Sequence, residues 1–375
     1  MILKIVHITT VHYRYDVRIH YKYCKALSKE EGLKMDLVVA DGKGTEQVSD
    51  LKVLDLGRIK FGRIGRVILG NLKVLKFCIL NKRDLIHFHD PELLPSMIAL
   101  RLIGRKLIFD MHEILPLQIL TKTYLPKVFR ISLSKGVHFF QNIFFRFIPV
   151  IFAEFSYAKY FTKVQLQETI LNYPLKVEFE AISERKKPHF TLGYMGSVTV
   201  ERGALVMLEA VAELRKQGED IHLLFVGPID DDLECFSVFK EAEQEGWVTF
   251  KGRLKPKEGW RYMSQCHIGM AVLQSSPNFI DSYPTKLFEY MLLKLPIITS
   301  NFPLYRGIIE DAKCGIVVDP SSVREVSEAI LAIKNNDSER VFMGDEGCKR
   351  AIEKYSWESS ELLKVKSFYN QVLQS

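Results

Sequence analysis

The sequence predicts an α/β protein built from two doubly wound parallel-sheet, Rossmann-like domains. Three observations carry that prediction. Short apolar runs rich in Val and Ile alternate with segments of helical periodicity through both halves of the chain, the pattern of helices crossing over a parallel sheet. At 375 residues the chain is too long for one ordinary hydrophobic core. Around Asn172-Tyr173-Pro174 the alternation stops, and Glu178 to Pro188 is charged and turn-like before a new series of strands begins. The predicted division is a first domain over 1–172, a linker over 173–188, a second domain over 189–355 and a final helical segment over 356–375.

Composition supports two packed cores. Hydrophobic residues make up 47% and charged residues 26% of the chain, which are globular values. The six cysteines form no Cys-x-x-Cys pair and read as reduced thiols of a reducing compartment. Met1-Ile2-Leu3-Lys4-Ile5-Val6 turns polar at once and does not read as a signal peptide, so a cytoplasmic location is expected. The net charge of +7 is unevenly placed. Arg58 to Arg83 contains no acid and eight basic residues, and Lys122 to Ala153 again contains no acid while Lys127, Arg130, Lys135 and Arg146 interleave with Phe129, Phe139, Phe140, Phe144, Phe145 and Phe147. Such stretches suit the anionic inner face of a membrane, with peripheral attachment, or a solvated basic face above a core. Val137 to Ala153 is too short and too polar to span a bilayer. No recognition motif for nucleic acid accompanies the charge.

In the first half, Leu3 to Thr9 reads as a strand and Val17 to Ser28 as a helix. The loop between them carries His12 and Arg14, candidates for the phosphate or acceptor side, at the end of a strand where open α/β sheets bind ligands. Asp16 is expected to cap the helix and Arg18 to pair with Asp16. Leu37 to Ala40, Val53-Leu54, Asp84 to His89, Lys106 to Glu113, Val150 to Ala153 and Thr169 to Leu171 read as further strands or strand exits. Asp90 is expected to cap the helix that Pro91 begins. His87-x-His89 has metal-ligand spacing, but no carboxylate and histidine set in the sequence evidently completes a site, so no metal is expected. His112, at the C-terminal end of its strand, is the residue most readily placed at a ligand.

In the second half, His189 to Gly196 reads as a strand followed by Gly196-Ser197-Val198-Thr199-Val200-Glu201-Arg202-Gly203 and a helix from Ala204. Gly196 allows backbone to approach a pyrophosphate and Arg202 brings a cation. Two more strands end at Gly227 and near Arg253; Asp230-Asp231-Asp232 reads as a solvated capping run. The most informative stretch is Asp281 to Pro296, DSYPTKLFEYMLLKLP. Asp281 lies in a loop, Pro284 precedes a helix, and Glu289 sits in its first turns. A helix N-terminus attracts phosphate, and a carboxylate one turn inside can accept hydrogen bonds from a diol such as ribose. That combination suits a sugar nucleotide, although an acid in a first turn is also favourable simply for the helix dipole.

Asp281 to Asp319 resembles the signature of retaining family 4 glycosyltransferases (glycosyl transferases group 1) of the bacterial surface-polysaccharide type. The residues concerned are Asp281, Ser282 to Lys286, Glu289-Tyr290-Met291, Pro296-Ile297-Ile298 and Gly315 to Pro320. His12, Arg14, Asp16, Arg18 and Ile19, and His89 to Leu94, resemble one subgroup of the same family. The resemblance implies the GT-B architecture, two Rossmann-like domains facing across a cleft with the last helix crossing back to the first. It implies transfer of a hexose-type sugar from a nucleotide diphosphate sugar to a hydroxyl of a glycan or lipid-linked acceptor, with retention, in capsule or O-antigen polysaccharide biosynthesis. No metal or other cofactor is implied. Glu289 would hold the ribose, Asp281 the sugar hydroxyls and His112 the donor sugar. Gly196, Ser197, Arg202, Lys286 and the N–H groups of Tyr283, Pro284's successor Thr285 and their neighbours would surround the diphosphate. Gly227 and Arg253 would line the nucleotide. The chain departs from the pattern in four ways: Asp281 replaces the commoner Glu, the following loop has no glycine, the first domain lacks a Gly-Gly turn, and Ser197 replaces an arginine. These departures leave a sugar-nucleotide 2-epimerase and a non-catalytic sugar-nucleotide-binding subunit as alternatives.

Overall fold

A computed structural model of the protein describes residues 2–122 and 124–375. The chain forms two compact units, one ending at Asn172 and resuming over Glu361–Ser375, the other spanning Tyr173–Ser360.

The first unit is an eight-stranded sheet of β1 (Leu3–Ile8), β2 (Leu33–Val39), β3 (Glu46–Val48), β4 (Leu51–Asp55), β5 (Leu85–Phe88), β6 (Leu107–Met111), β7 (Val150–Phe152) and β8 (Gln167–Thr169). The order is β3-β4-β2-β1-β5-β6-β7-β8, and every pair is parallel except β3 with β4. Chain order reverses between β1 and β5, which makes a crevice at the C-terminal ends of those strands. Strand residues alternate between faces. Val6, Ile8, Ile86, Phe88, Leu107, Phe109 and Met111 share one hydrophobic cluster. The alternate positions His7, His87 and Asp110 therefore lie on the opposite face, and all three are buried.

The second unit is a six-stranded parallel sheet of β9 (Phe190–Met195), β10 (Ile221–Val226), β11 (Val248–Phe250), β12 (Ile268–Ala271), β13 (Ile297–Ser300) and β14 (Gly315–Val318), in the order β11-β10-β9-β12-β13-β14. Its switch point lies between β9 and β12. The core joins Leu192, Tyr194, Leu223, Phe225, Ile268, Met270 and Ile298 to the apolar stripe of the Ala204–Lys216 helix.

Two features differ from the sequence reading. The edge hairpin β3–β4 was not expected, because Glu46-Gln47-Val48 carries no apolar alternation. Glu46 accepts hydrogen bonds from Arg14 and Tyr15 at 2.8 Å, a tie that only the fold creates. Residues 173–188 are not a separate linker but part of the second unit. Phe179 packs on Trp260 with ring centroids 4.2 Å apart, and Lys187 N donates to Gln265 O at 3.0 Å. Tyr173, Leu175 and Phe179 are buried, so the apolar residues in this charged stretch decide its place. The closing helix, Leu362–Gln374, packs with the first unit: Glu361 accepts from Leu171 N at 2.6 Å, and Tyr369 reaches His7 and His87.

Candidate functional site

In the second unit the expected residues lie in the segments that follow the C-terminal ends of β9, β10, β11 and β12. The loops after β9 and β10 touch: Gly196 N donates to Val226 O at 2.9 Å and Val198 N to Pro228 O at 2.8 Å. Gly227 has φ of 150°, and a Cβ there would lie 1.8 Å from the carbonyl oxygen of Gly196. Only glycine permits that approach. Thr199 caps the short turn that ends in Arg202, whose guanidinium lies 5.5 Å from the centre of the Phe279 ring. Asp281 is exposed at the end of the Pro277–Ile280 turn. Pro284 is the N-cap of the Thr285–Leu292 helix; Tyr283 just before it and Thr285 and Glu289 on it are half-buried. Ser197 is half-buried, and Arg253 is exposed beyond β11.

Lys286 differs from its expected setting. It is not a loop residue but the second residue of that helix, and it is buried. Its Nζ has no hydrogen-bond partner among the described residues. It sits 4.0 Å from the centre of the Tyr194 ring, and a Cβ on Gly196 would come within 3.1 Å of it. Burial, helped by the nearby Arg202 charge and opposed by Glu289, pulls its pKa down to about 7. Tyr194, whose hydroxyl donates to Ser197 O at 2.9 Å, is a site residue that sequence reading missed. Its signal was a bulky polar-tipped ring in a strand that should be apolar on both faces. An ammonium withdrawn from water without a hydrogen-bond partner is costly. The arrangement offers two cations, Lys286 and Arg202, a backbone loop relieved of side chains, and a helix N-terminus. Together these suit an anion with several oxygens.

In the first unit the crevice between β1 and β5 holds an imidazole cluster. His7 Nδ1 lies 2.9 Å from His89 Nε2, His89 Nδ1 lies 3.2 Å from both Asp110 Oδ2 and His112 Nε2, and His112 Nε2 lies 2.9 Å from Asp110 Oδ2. Arg18 does not pair with Asp16. It forks onto Asp110 through Nε at 2.9 Å and Nη2 at 2.8 Å, because its helix lies across the polar face of the sheet. Asp16 does cap that helix, accepting from the N–H of Arg18 and Ile19. Asp90 makes no side-chain cap. It is turned inward to accept from Thr9 Oγ1 at 2.8 Å and Thr10 Oγ1 at 2.9 Å. Arg14 is buried and forks onto Asp41 at 2.7 and 2.6 Å and onto Glu46; these bonds take the groups expected to face a phosphate. His12 stays beside the site, its ring 4.7 Å from that of His112. His112 is 19% exposed. A carboxylate and histidine set that spacing did not reveal thus exists, with ligating atoms of His89, Asp110 and His112 close together. The visible signal was polar alternation, Asp110-x-His112 beside His87-x-His89, in strands expected to be apolar.

The fold is of the two-domain GT-B type, shared with Anabaena HepE in complex with UDP at a TM-score of 0.66 and 13% identity, over 98% of this chain and 100% of that one. Residues 176–350, all within the second unit, match the family described as Glycosyl transferases group 1. Among curated relatives, the chain is 24% identical to alpha-D-kanosaminyltransferase of Streptomyces kanamyceticus over 44% of its length and 41% of the relative's. It is 21% identical to the capsular polysaccharide biosynthesis glycosyltransferase CapM of Staphylococcus aureus over 49% of its length and 47% of the relative's. The matches therefore span less than half of these relatives.

Proposed function

We propose that the protein is a retaining, metal-independent glycosyltransferase of family 4 that moves a hexose-type sugar from a nucleotide diphosphate sugar to a hydroxyl of a glycan or lipid-linked acceptor in surface-polysaccharide biosynthesis. The observation that carries this reading is the buried Lys286 ammonium beside the Gly196 loop, with no hydrogen-bond partner among the described residues. The kanosaminyltransferase and CapM names, and the UDP bound to HepE, support a glycosyl donor of this kind.

In this reading Lys286, Arg202 and the amides at the start of the Thr285–Leu292 helix stabilise the diphosphate as it leaves, the role a metal plays elsewhere. Glu289 grips the ribose, and Asp281, open to solvent, takes sugar hydroxyls. His112 takes a hydroxyl of the substrate. The test is release of nucleotide from a panel of nucleotide sugars with and without candidate acceptors. Release that depends on the acceptor, with the α or β configuration of the donor kept in the product, is expected. Conversion of the donor alone would indicate an epimerase, and binding without either would indicate a non-catalytic subunit. Arg202→Ala and Glu289→Ala proteins are each expected to lose about tenfold or more in donor affinity, the worth of one charge-assisted hydrogen bond.

The acceptor side is proposed to work at the inner membrane surface from the cytoplasm. No helix among the described residues is long and apolar enough to cross a membrane. Two basic segments instead present apolar side chains to solvent: Phe61 at 79% and Ile64 at 73% exposure in one, Val128 at 78% and Phe139 at 62% in the other. Lys76, Lys127 and Lys135 are exposed among them. Lys73 is not available, since its ammonium bonds Leu56 O at 2.8 Å and Gly57 O. Apolar insertion with about 1 kcal/mol per basic residue suits anionic lipid. The protein is expected to float with phosphatidylserine-containing vesicles, and Lys76→Glu/Lys127→Glu/Lys135→Glu to sediment. Flotation indifferent to those changes would remove the membrane from the proposal.

A further inference from the structure

Four imidazoles of the first unit, those of His7, His87, His89 and His112, lie in one continuous hydrogen-bonded line with Tyr369 and Asp110. His87 Nδ1 meets the Tyr369 hydroxyl at 2.7 Å, and that hydroxyl meets His7 Nε2 at 3.0 Å. His7 Nδ1 meets His89 Nε2, His89 Nδ1 meets Asp110 Oδ2, and His112 Nε2 meets the same oxygen. At one end stands a carboxylate, which accepts only. At the other end His87 Nε2 is buried with no partner among the described residues.

Those two ends determine the direction of every proton. His7 and His89 each bond through both ring nitrogens within the line, and His87 through one, so a consistent line gives each ring a single N–H. Arg18 donates to both oxygens of Asp110, through Nε to Oδ2 and Nη2 to Oδ1, so the carboxylate takes part as an acceptor only. His89 must present Nδ1–H to that anion, because a lone pair there would face negative charge. Its Nε2 is then bare and accepts from His7 Nδ1–H. His7 Nε2 is bare in turn and accepts the Tyr369 proton. The Tyr369 oxygen accepts from His87 Nδ1–H, and His87 Nε2 is left as a bare lone pair. An unsatisfied acceptor is the tolerable end of such a chain, whereas the opposite direction would bury an orphan N–H. The same carboxylate takes Nε2–H from His112.

We propose that Asp110, backed by Arg18 and the His89–His7–Tyr369–His87 line, fixes His112 as its Nε2–H tautomer and so presents a bare Nδ1 as the hydrogen-bond acceptor for a substrate hydroxyl. Asp110 and His89 are positioning residues; His112 is the one that touches substrate. That the hydroxyl belongs to a sugar rests on the proposed glycosyl transfer; the tautomer does not. Nδ1 has no hydrogen-bond partner among the described residues, and the partial exposure of His112 leaves it reachable. The rival occupant of the His89–Asp110–His112 corner is a metal ion, which requires the opposite protonation. His89 Nδ1 and His112 Nε2 would both be bare, and the line would run backward to an N–H on His87 Nε2.

Nitrogen-15 spectra of the full-length protein labelled in histidine, assigned by single replacements, read these tautomers directly without donor or acceptor. Expected are Nε2–H for His112 and Nδ1–H for His7, His87 and His89. Tyr369→Phe removes the hydroxyl that His87 Nδ1 and His7 Nε2 share and should leave His89 and His112 unchanged. Asp110→Asn should shift both His89 and His112, and a folded Asp110→Asn protein with unchanged His112 overturns the assignment. So does Nδ1–H at His112 in the parent. So does the reversed pattern, or stoichiometric Zn²⁺ uptake that converts the spectrum to it. With the tautomers as expected, a donor or acceptor that binds without moving the His112 Nδ1 resonance refutes the substrate contact alone. If no nucleotide sugar binds at all, the transfer reading fails while the tautomer assignment stands.

Discussion

Lys286→Met is expected to weaken nucleotide diphosphate sugar binding by roughly 10- to 100-fold while making the free protein more stable. The two effects come from one cause. In the free protein the ammonium is buried against Tyr194 with no hydrogen-bond partner among the described residues, and methionine of similar length removes that desolvation cost, on the order of 1–3 kcal/mol. With donor present the same charge meets phosphate oxygens, and a charge-assisted contact is worth about 1.5–3 kcal/mol. Gain of stability with loss of affinity distinguishes a ligand-directed lysine from a structural one, whose removal would lower both.

The pH dependence follows from the lysine's pKa of about 7 in the folded chain against 10.5 as the ordinary value. Between those pH values the unfolded chain carries one more proton at this group than the folded one. This group's contribution to the stability of the free protein therefore rises with pH from about 7 to about 10.5. Donor binding moves the other way: the phosphates favour the protonated form, so affinity falls above about pH 7, by at most tenfold per pH unit. Lys286→Met should flatten both slopes. Calorimetric titration with a nucleotide sugar, whose diphosphate diester has no titration in this range, together with thermal unfolding across the same pH series, measures both. Equal slopes in parent and variant would refute the assignment.

Arg18→Ala is expected to cost the first unit about 3–5 kcal/mol, the usual penalty for stripping one partner from a buried ion pair. Asp110 is fully buried and keeps two charge-assisted bonds from Arg18 only while the guanidinium is there. In the parent, Asp110 has a depressed pKa, so its contribution is present above the ordinary carboxylate pKa and is lost as pH falls through its own, lower value. In Arg18→Ala burial pushes that pKa upward, and the loss of stability grows as pH rises. Arg18→Met/Asp110→Leu should recover much of the loss, because no lone charge remains. Urea unfolding of the full chain, followed by a probe in the first unit, checks all three. A penalty below about 1 kcal/mol for Arg18→Ala would mean that the pair is not the anchor of the cluster.

The layout of the chain was largely legible from its residues. Strand and helix periods, the break near Asn172, the Asp16 cap and the position of Glu289 in the first turns of a helix are local matters. They are set by side-chain spacing and by the unpaired groups at a helix end. The misreadings share another cause. Arg18 and Asp90 each had a plausible neighbour within a few residues and Arg14 was expected to face a ligand, yet their partners are Asp110, Thr9 with Thr10, and Asp41. A short-range pairing is visible in sequence whether or not the chain uses it. Lys286 was legible as a replacement cation but not as a buried one, since its helix starts at Thr285, two residues before the apolar run from Leu287 that suggested it.

The residues by themselves determined two α/β domains and the segment from Asp281 to Glu289 with its polar character. Tertiary structure alone decided which side chains meet. Crossovers in a parallel sheet place β1 beside β5 and β5 beside β6, so His7, His89 and Asp110, separated by 82 and 21 residues, become hydrogen-bonded neighbours. That adjacency follows from packing helices over a twisted sheet, and no local period encodes it.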